Sequence, residues 1–123
     1  MNQDCPNKWI ERTCLQVDGV IVHTVPVPRC CPATGNPLPG STLTVAYRPN
    51  GIVMPVEALR DLVAQYVGGH KERGVRNMEE MIQDVCLQAA EITGAKVRVR
   101  ADLLIVPPGG GPVQNMKVRA RSN

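Results

Sequence analysis

The chain has 123 residues, 43% of them hydrophobic, with 14 Lys+Arg against 11 Asp+Glu and a net charge of +3. This length suits one compact domain and this hydrophobic content supports a core, which excludes a multidomain chain and a disordered one. No apolar run approaches the ~20 residues that span a bilayer, and Met1 to Pro6 holds no basic stretch leading into an apolar one, so the expectation is a cytoplasmic protein without membrane contact.

Residues 1–13 follow neither the helical nor the strand period and read as an N-terminal arm, which leaves 14–123 as a single domain. From Leu15 to Val27 the chain is β-branched and apolar, and it stops at Pro26 and Pro28, which cannot donate to a ladder; this is the first expected strand. Turn-forming residues crowd positions 29–40 (RCCPATGNPLPG), which predicts a structured loop. Positions 41–47 then alternate Leu43, Val45 and Tyr47 against Thr42, Thr44 and Ala46, the period of a half-buried strand that completes a hairpin.

After a turn at Arg48 to Gly51, Pro55 suits a first helical position, Val56, Leu59, Leu62, Val63 and Tyr66 share one helical face, and Gly68 and Gly69 stop the helix. Asn77 is placed to cap a second helix with Glu80 completing a capping box. Met78, Met81, Ile82, Val85, Ala89 and Ile92 form its buried stripe, and Gly94 ends it. Residues 96–103 alternate strictly, 106–112 (VPPGGGP) turn the chain, and 113–122 return as a fourth strand. The expected order is β-β-α-α-β-β, an α+β fold with an antiparallel sheet.

On the last two strands Lys96, Arg98 and Arg100 share one face, and Lys117, Arg119 and Arg121 repeat the pattern. Such a face is either a solvated surface that keeps sheet edges soluble or one that attracts the phosphates of tRNA or DNA. Five cysteines, at 5, 14, 30, 31 and 86, are an odd number with no secretory signal, which disfavours a disulfide framework. No C-x-x-C occurs and His23 and His70 stand at no recognisable ligand spacing, so neither a metal nor another cofactor is expected. With no Phe and only Trp9, Tyr47 and Tyr66, a stacking platform for single strands is poorly supplied, and the few large side chains point to burial completed by oligomerisation.

Cys30-Cys31-Pro32 lies in the rigid loop between strands, where a thiol gains the exposure a nucleophile needs; an inert loop cysteine is the alternative. Glu79 falls in the first turn of the second helix, where the dipole favours its anion and the carboxylate can meet paired N–H donors; a merely solvated glutamate is the alternative.

The run Cys31-Pro32-Ala33-Thr34-Gly35-Asn36-Pro37, the following strand, Tyr47-Arg48-Pro49-Asn50-Gly51 and two helices, the second opening on Glu79, resemble the tunnelling-fold (T-fold) superfamily. Within it they are similar to the 7-cyano-7-deazaguanine (preQ0) reductases, the QueF family, whose loop reads Cys-Pro-Val-Thr-Gly-Gln-Pro-Asp. The likeness covers roughly residues 14–122. It implies a T-fold whose copies close a tunnel-shaped barrel with interfacial active sites. It implies further that Cys31 is the thiol that adds to the nitrile carbon, that Glu79 anchors the guanine-like N–H edge, and that Thr34 and Glu80 belong to the substrate site.

Three departures shape the expected function. Leu38 stands where the reductases carry the loop acid, Met78 replaces the histidine before the anchoring glutamate, and residues 53–66 (VMPVEALRDLVAQY) lack the E-x-K-x-x-K segment that grips NADPH. The expectation is therefore a QueF-like enzyme, of amidinotransferase or decarboxylase type, that modifies the C7 substituent of preQ0 or 7-carboxy-7-deazaguanine without NADPH. Its partner is a free 7-deazaguanine or a modified nucleic acid. The known amidinotransferases, however, retain the loop acid. An NADPH-dependent nitrile reductase and a non-catalytic purine- or pterin-binding T-fold are the alternatives. A more distant likeness to GTP cyclohydrolase I reaches Pro37 to Gly40 and the following strand, but Pro32, Ala33 and Thr34 occupy the positions of that family's zinc-loop histidines, which disfavours metal-activated hydrolysis.

Overall fold

The computed structural model describes residues 11–12, 19–75 and 77–123. The strands are β1 (Glu11–Arg12), β2 (Ile21–Pro26), β3 (Thr42–Tyr47), β4 (Ile52–Val53), β5 (Val97–Ile105) and β6 (Gln114–Arg121). The helices are α1 (Val56–Ala64) and α2 (Met78–Thr93), with one 3-10 turn at Lys71–Arg73 between them. Four strands form an antiparallel sheet in the order β2-β3-β5-β6, and β1 pairs with β4 apart from it. The fold is α+β, and its main elements follow the expected ββααββ order.

The alternation of residues 96–103 and 113–122 becomes a long ladder that pairs Arg98 with Arg121, Val99 with Ala120 and Ala101 with Val118. Because side chains alternate across a strand, Val97, Val99, Ala101 and Leu103 are buried on the helix side with Leu43, Val45 and Tyr47 of β3 and Val25 of β2. α1 and α2 bring Leu59, Leu62, Met81, Ile82 and Val85 to the same core. Leu43, Leu62, Ile82 and Leu103 are each at most 1% exposed. Burial of such a side chain is worth about 1.5–3 kcal/mol.

α2 forms as its sequence dictates: Asn77 Oδ1 accepts the Glu80 N–H at 2.8 Å, and Gly94 closes the helix at φ 68° with its N–H donated to Ala90. Met81, Ile82, Val85 and Ala89 are buried, while Met78 and Ile92 pack at the edge of the core. Cys86, absent from the expected stripe, is also buried there.

Elsewhere the structure corrects the sequence reading. The first central strand is shorter than Leu15 to Val27: it begins at Ile21, with Val20 exposed ahead of it, and residues 13–18 lie outside the described residues. β-branching is a propensity that extends beyond the segment where β3 supplies a partner. Glu11 and Arg12, assigned to the arm, pair with Ile52 and Val53, a contact no local pattern announces. The rest of the arm lies outside the described residues, with Cys5 and Trp9. Pro55 is the N-cap of α1 rather than its first residue, and α1 ends at Ala64, with turns carrying the chain on to Gly68. Val56, expected on the buried face, is 78% exposed. A side chain at the first helical position points back off the helix start, away from the core that the later turns cover.

Candidate functional site

Residues 27–41 leave β2 and return to β3 through the loop that carries the cysteines, and its backbone is pinned at several points. The Cys30 and Cys31 N–H groups both donate to the Asn36 carbonyl at 2.9 Å, and the Gly35 N–H donates to the Cys31 carbonyl at 2.7 Å. Gly35 sits at φ 72°, the left-handed region that strains a side chain and favours glycine.

Two buried polar side chains tie this loop to the far end of β5. Asn36, 6% exposed, donates through Nδ2 to the Val106 carbonyl at 2.8 Å and accepts the Val106 N–H at 2.9 Å. Ser41, fully buried, donates to the Leu38 carbonyl and accepts the Leu104 N–H, each at 2.8 Å. The Leu38 N–H in turn donates to the Leu104 carbonyl at 2.7 Å. From the other side the Gly68 N–H, beyond α1, donates to the Cys30 carbonyl at 2.7 Å. The sequence marked Gly68 only as a helix stop, Asn36 only as part of the loop motif and Ser41 only as the start of a strand, with no sign of these long-range bonds.

The adjacent cysteines are sorted by this geometry. Cys30 is buried, its thiol donating to the Pro28 carbonyl at 3.2 Å and lying 3.8 Å from Met81 Sδ; burial, with the neighbouring Cys31, pushes it above the usual thiol range. Cys31 is half-buried, and hydrogen bonds from the Thr34 hydroxyl, the Thr34 N–H and the Ala33 N–H hold its thiol below that range. The Thr34 oxygen also accepts the Asn36 N–H at 3.2 Å. Cys31 is thus the more accessible and the more readily ionised thiol of the pair, and Cys30 packs into the core.

The thiols border a pocket of about 270 Å³, whose walls include Pro32, Gly68, Gly69, Asn77, Met78 and Met81. Drug-sized ligands occupy about 300–1,000 Å³, so this space suits a single small ring system. No acidic side chain lines it among the described residues. Its Asn77–Met78 wall is the start of α2, where the helix dipole favours negative charge.

The other sequence-selected residues are placed less directly. Thr34 is exposed and meets Cys31 rather than the pocket. Glu79 is exposed in the first turn of α2, one residue beyond the pocket wall, and does not line the pocket in the single chain. Glu80 borders a different groove, shared with Arg73, Gly74 and Asp84. Among the described residues no group of three or more His, Cys, Asp or Glu is placed to hold a metal ion, and no helix is long and apolar enough to cross a membrane.

Behind the pocket stands a network that sequence reasoning missed. Tyr66, one of the pocket's inner residues, donates its hydroxyl to Asp84 Oδ2 at 2.5 Å and accepts from Gln88 Nε2 at 2.6 Å. Arg73 grips the same carboxylate with two bonds, at 2.6 and 2.8 Å. Burial works against the charge on Asp84, yet the bonds from Arg73 and Tyr66 outweigh it and hold the carboxyl below its usual range. Burial and the Asp84 carboxylate push Tyr66 far above the usual phenol range, so it stays protonated. The only sequence trace of this network is the i, i+4 spacing of Asp84 and Gln88.

No protein-family model matches the sequence, and no curated protein matches it.

Proposed function

We propose that the protein is a QueF-like enzyme that modifies the C7 substituent of a 7-deazaguanine in the synthesis of a modified nucleoside for tRNA or DNA, without NADPH and with Cys31 as nucleophile. The observation that carries this reading is the Cys31 thiol, biased toward thiolate at the mouth of a pocket sized for one small ring system. With a nitrile substrate the thiolate adds to the nitrile carbon, forming an S–C bond while one C≡N π bond opens and the proton given up by the thiol passes to the nitrogen. The product is a covalent thioimide. Attack by ammonia then breaks the S–C bond, releases the protonated amidine and returns the thiolate.

In this reading Glu79 anchors the guanine-like N–H edge from a contact between copies of the chain, which accounts for its exposure beside the pocket wall rather than in it. Copies join edge to edge into the barrel of a T-fold. The sheet leaves β2 and β6 as open edges, and Val20 and Val22 are 55% and 65% exposed at the β2 side, features that assembly would cover.

A second reading has one observation in its favour. The pocket walls include Pro32, Val75, Met78 and Met81, and an apolar enclosure raises the energy of a bound carboxylate relative to neutral carbon dioxide. For 7-carboxy-7-deazaguanine the C7–carboxylate bond would break, its electron pair would pass to the ring, and C7 would take a proton from water. Incubation with the nitrile plus ammonia and, separately, with the carboxy compound distinguishes the two by product mass. NADPH oxidation with the nitrile would instead restore a reductase, and tight binding of either compound without any product would leave a non-catalytic base-binding protein.

A further inference from the structure

The helix-free face of the sheet carries an arrangement that the thiol site does not use. The β5–β6 register sets Arg98 directly opposite Arg121 and Arg100 directly opposite Arg119, and all four are exposed. Like charges facing each other across a ladder are destabilising. The neighbouring chemistry does little to relieve them: Asp102 lies 3.9 Å from Arg100 and 3.5 Å from Lys117, and among the described residues no ion pair reaches Arg98, Arg119 or Arg121. Every acidic residue from 19 to 123 other than Asp102 lies on α1, α2 or the 3-10 turn between them, so charge is segregated between the two sides of the sheet. The four arginines border a shallow groove of about 670 Å³ floored by Thr44 and Ala46.

We propose that this groove is a docking surface for the sugar–phosphate backbone of a single polynucleotide strand. Basic residues on one face of a strand recur every ~6.6–6.8 Å, and the two rows lie only ~5 Å apart, too close to flank a duplex groove but suited to converge on one backbone. From Lys96 to Arg100 the row runs about 13 Å, which fits successive phosphates rather than one. Guanidinium groups bind phosphate oxygens in paired fashion. Among the described residues the two tyrosines are buried and offer no base-stacking surface, and recognition rests on charge, independent of base sequence. The surface stands apart from Cys31, so it does not depend on the proposed thiol chemistry.

The test is fluorescence anisotropy of the full chain with a labelled oligodeoxythymidylate across about 50 to 200 mM salt. Four phosphate contacts predict a log–log slope of about −3, an affinity loss of roughly fifty-fold over that range. The pair Arg100→Gln with Arg119→Gln should halve the slope and weaken binding at low salt at least tenfold, while circular dichroism remains native because both side chains are exposed. Cys31→Ala should bind as the native chain does. No binding by the native chain at low salt, an unchanged slope in the double variant, or loss of binding in Cys31→Ala would each overturn the proposal. Displacement by tripolyphosphate or polyglutamate more readily than by unlabelled oligonucleotide, at equal charge, would also overturn it in favour of a small polyphosphate or an acidic protein.

Discussion

Replacing Asn36 by alanine should slacken the cysteine loop and weaken the fold at once. The side chain is 6% exposed and makes two bonds to Val106, at 2.8 and 2.9 Å, across 70 residues of sequence. Its loss leaves the Val106 N–H and C=O without partners; because Val106 is half-buried, water replaces part of what is lost, and the cost falls at about 2–3 kcal/mol. For a domain of this size that corresponds to a fall in Tm of roughly 10 °C, read by circular dichroism. The Asn36 carbonyl also receives the Cys30 and Cys31 N–H groups, so the turn that presents Thr34 to Cys31 should loosen with it. The alkylation rate of Cys31, followed by peptide mass against pH, should then shift toward the profile of an ordinary thiol. A Tm within ~2 °C of the native value together with an unchanged alkylation profile would refute the view that this amide clamps the loop.

Cys31→Ala should abolish turnover, whereas Cys30→Ala should retain it and lose about 1 kcal/mol of stability through its small buried thiol, as chemical denaturation would record. Thr34→Val should raise the Cys31 pKa by removing a hydroxyl bond to sulfur, seen as slower alkylation at neutral pH. Glu79→Gln turns one acceptor into a donor facing the ligand's N–H groups, and calorimetry with a 7-deazaguanine should show a binding loss on the order of 2–3 kcal/mol, roughly thirty-fold or more. Asp84, whose carboxyl is held below its unfolded value, contributes stability that is present above about pH 4 and disappears as pH falls through the lowered value. Asp84→Asn should therefore cost about 2 kcal/mol at neutral pH and flatten the acid limb of the stability profile measured by urea titration.

Legibility in the sequence followed the range of the interaction. Helix α2, with its Asn77 cap and Gly94 terminus, and the ladder of β5 and β6 were readable because capping and alternation are local, and each is repeated by neighbouring residues. The pairing of Glu11–Arg12 with Ile52–Val53 joins segments about forty residues apart without a periodic signal in either, so it was invisible. The same holds at the candidate site. Cys31 stood out as a thiol in a turn-rich loop, but the bonds that pin that loop reach distant segments: Asn36 bonds Val106, Ser41 bonds Leu104, and Gly68 bonds Cys30. The Tyr66–Asp84–Arg73 network was missed for a related reason, since a charged residue on a helix reads as solvated until its partners are located in space.

The central claim is that Cys31 attacks the C7 substituent of a 7-deazaguanine, and intact-mass analysis with peptide mapping after incubation with 7-cyano-7-deazaguanine tests it most directly. Addition to a nitrile expels no leaving group, so the account predicts a gain of the full mass of the nitrile compound, mapped to Cys31 and absent in Cys31→Ala. An unmodified Cys31 with the nitrile left unconsumed would contradict it, whether or not the carboxy compound is turned over.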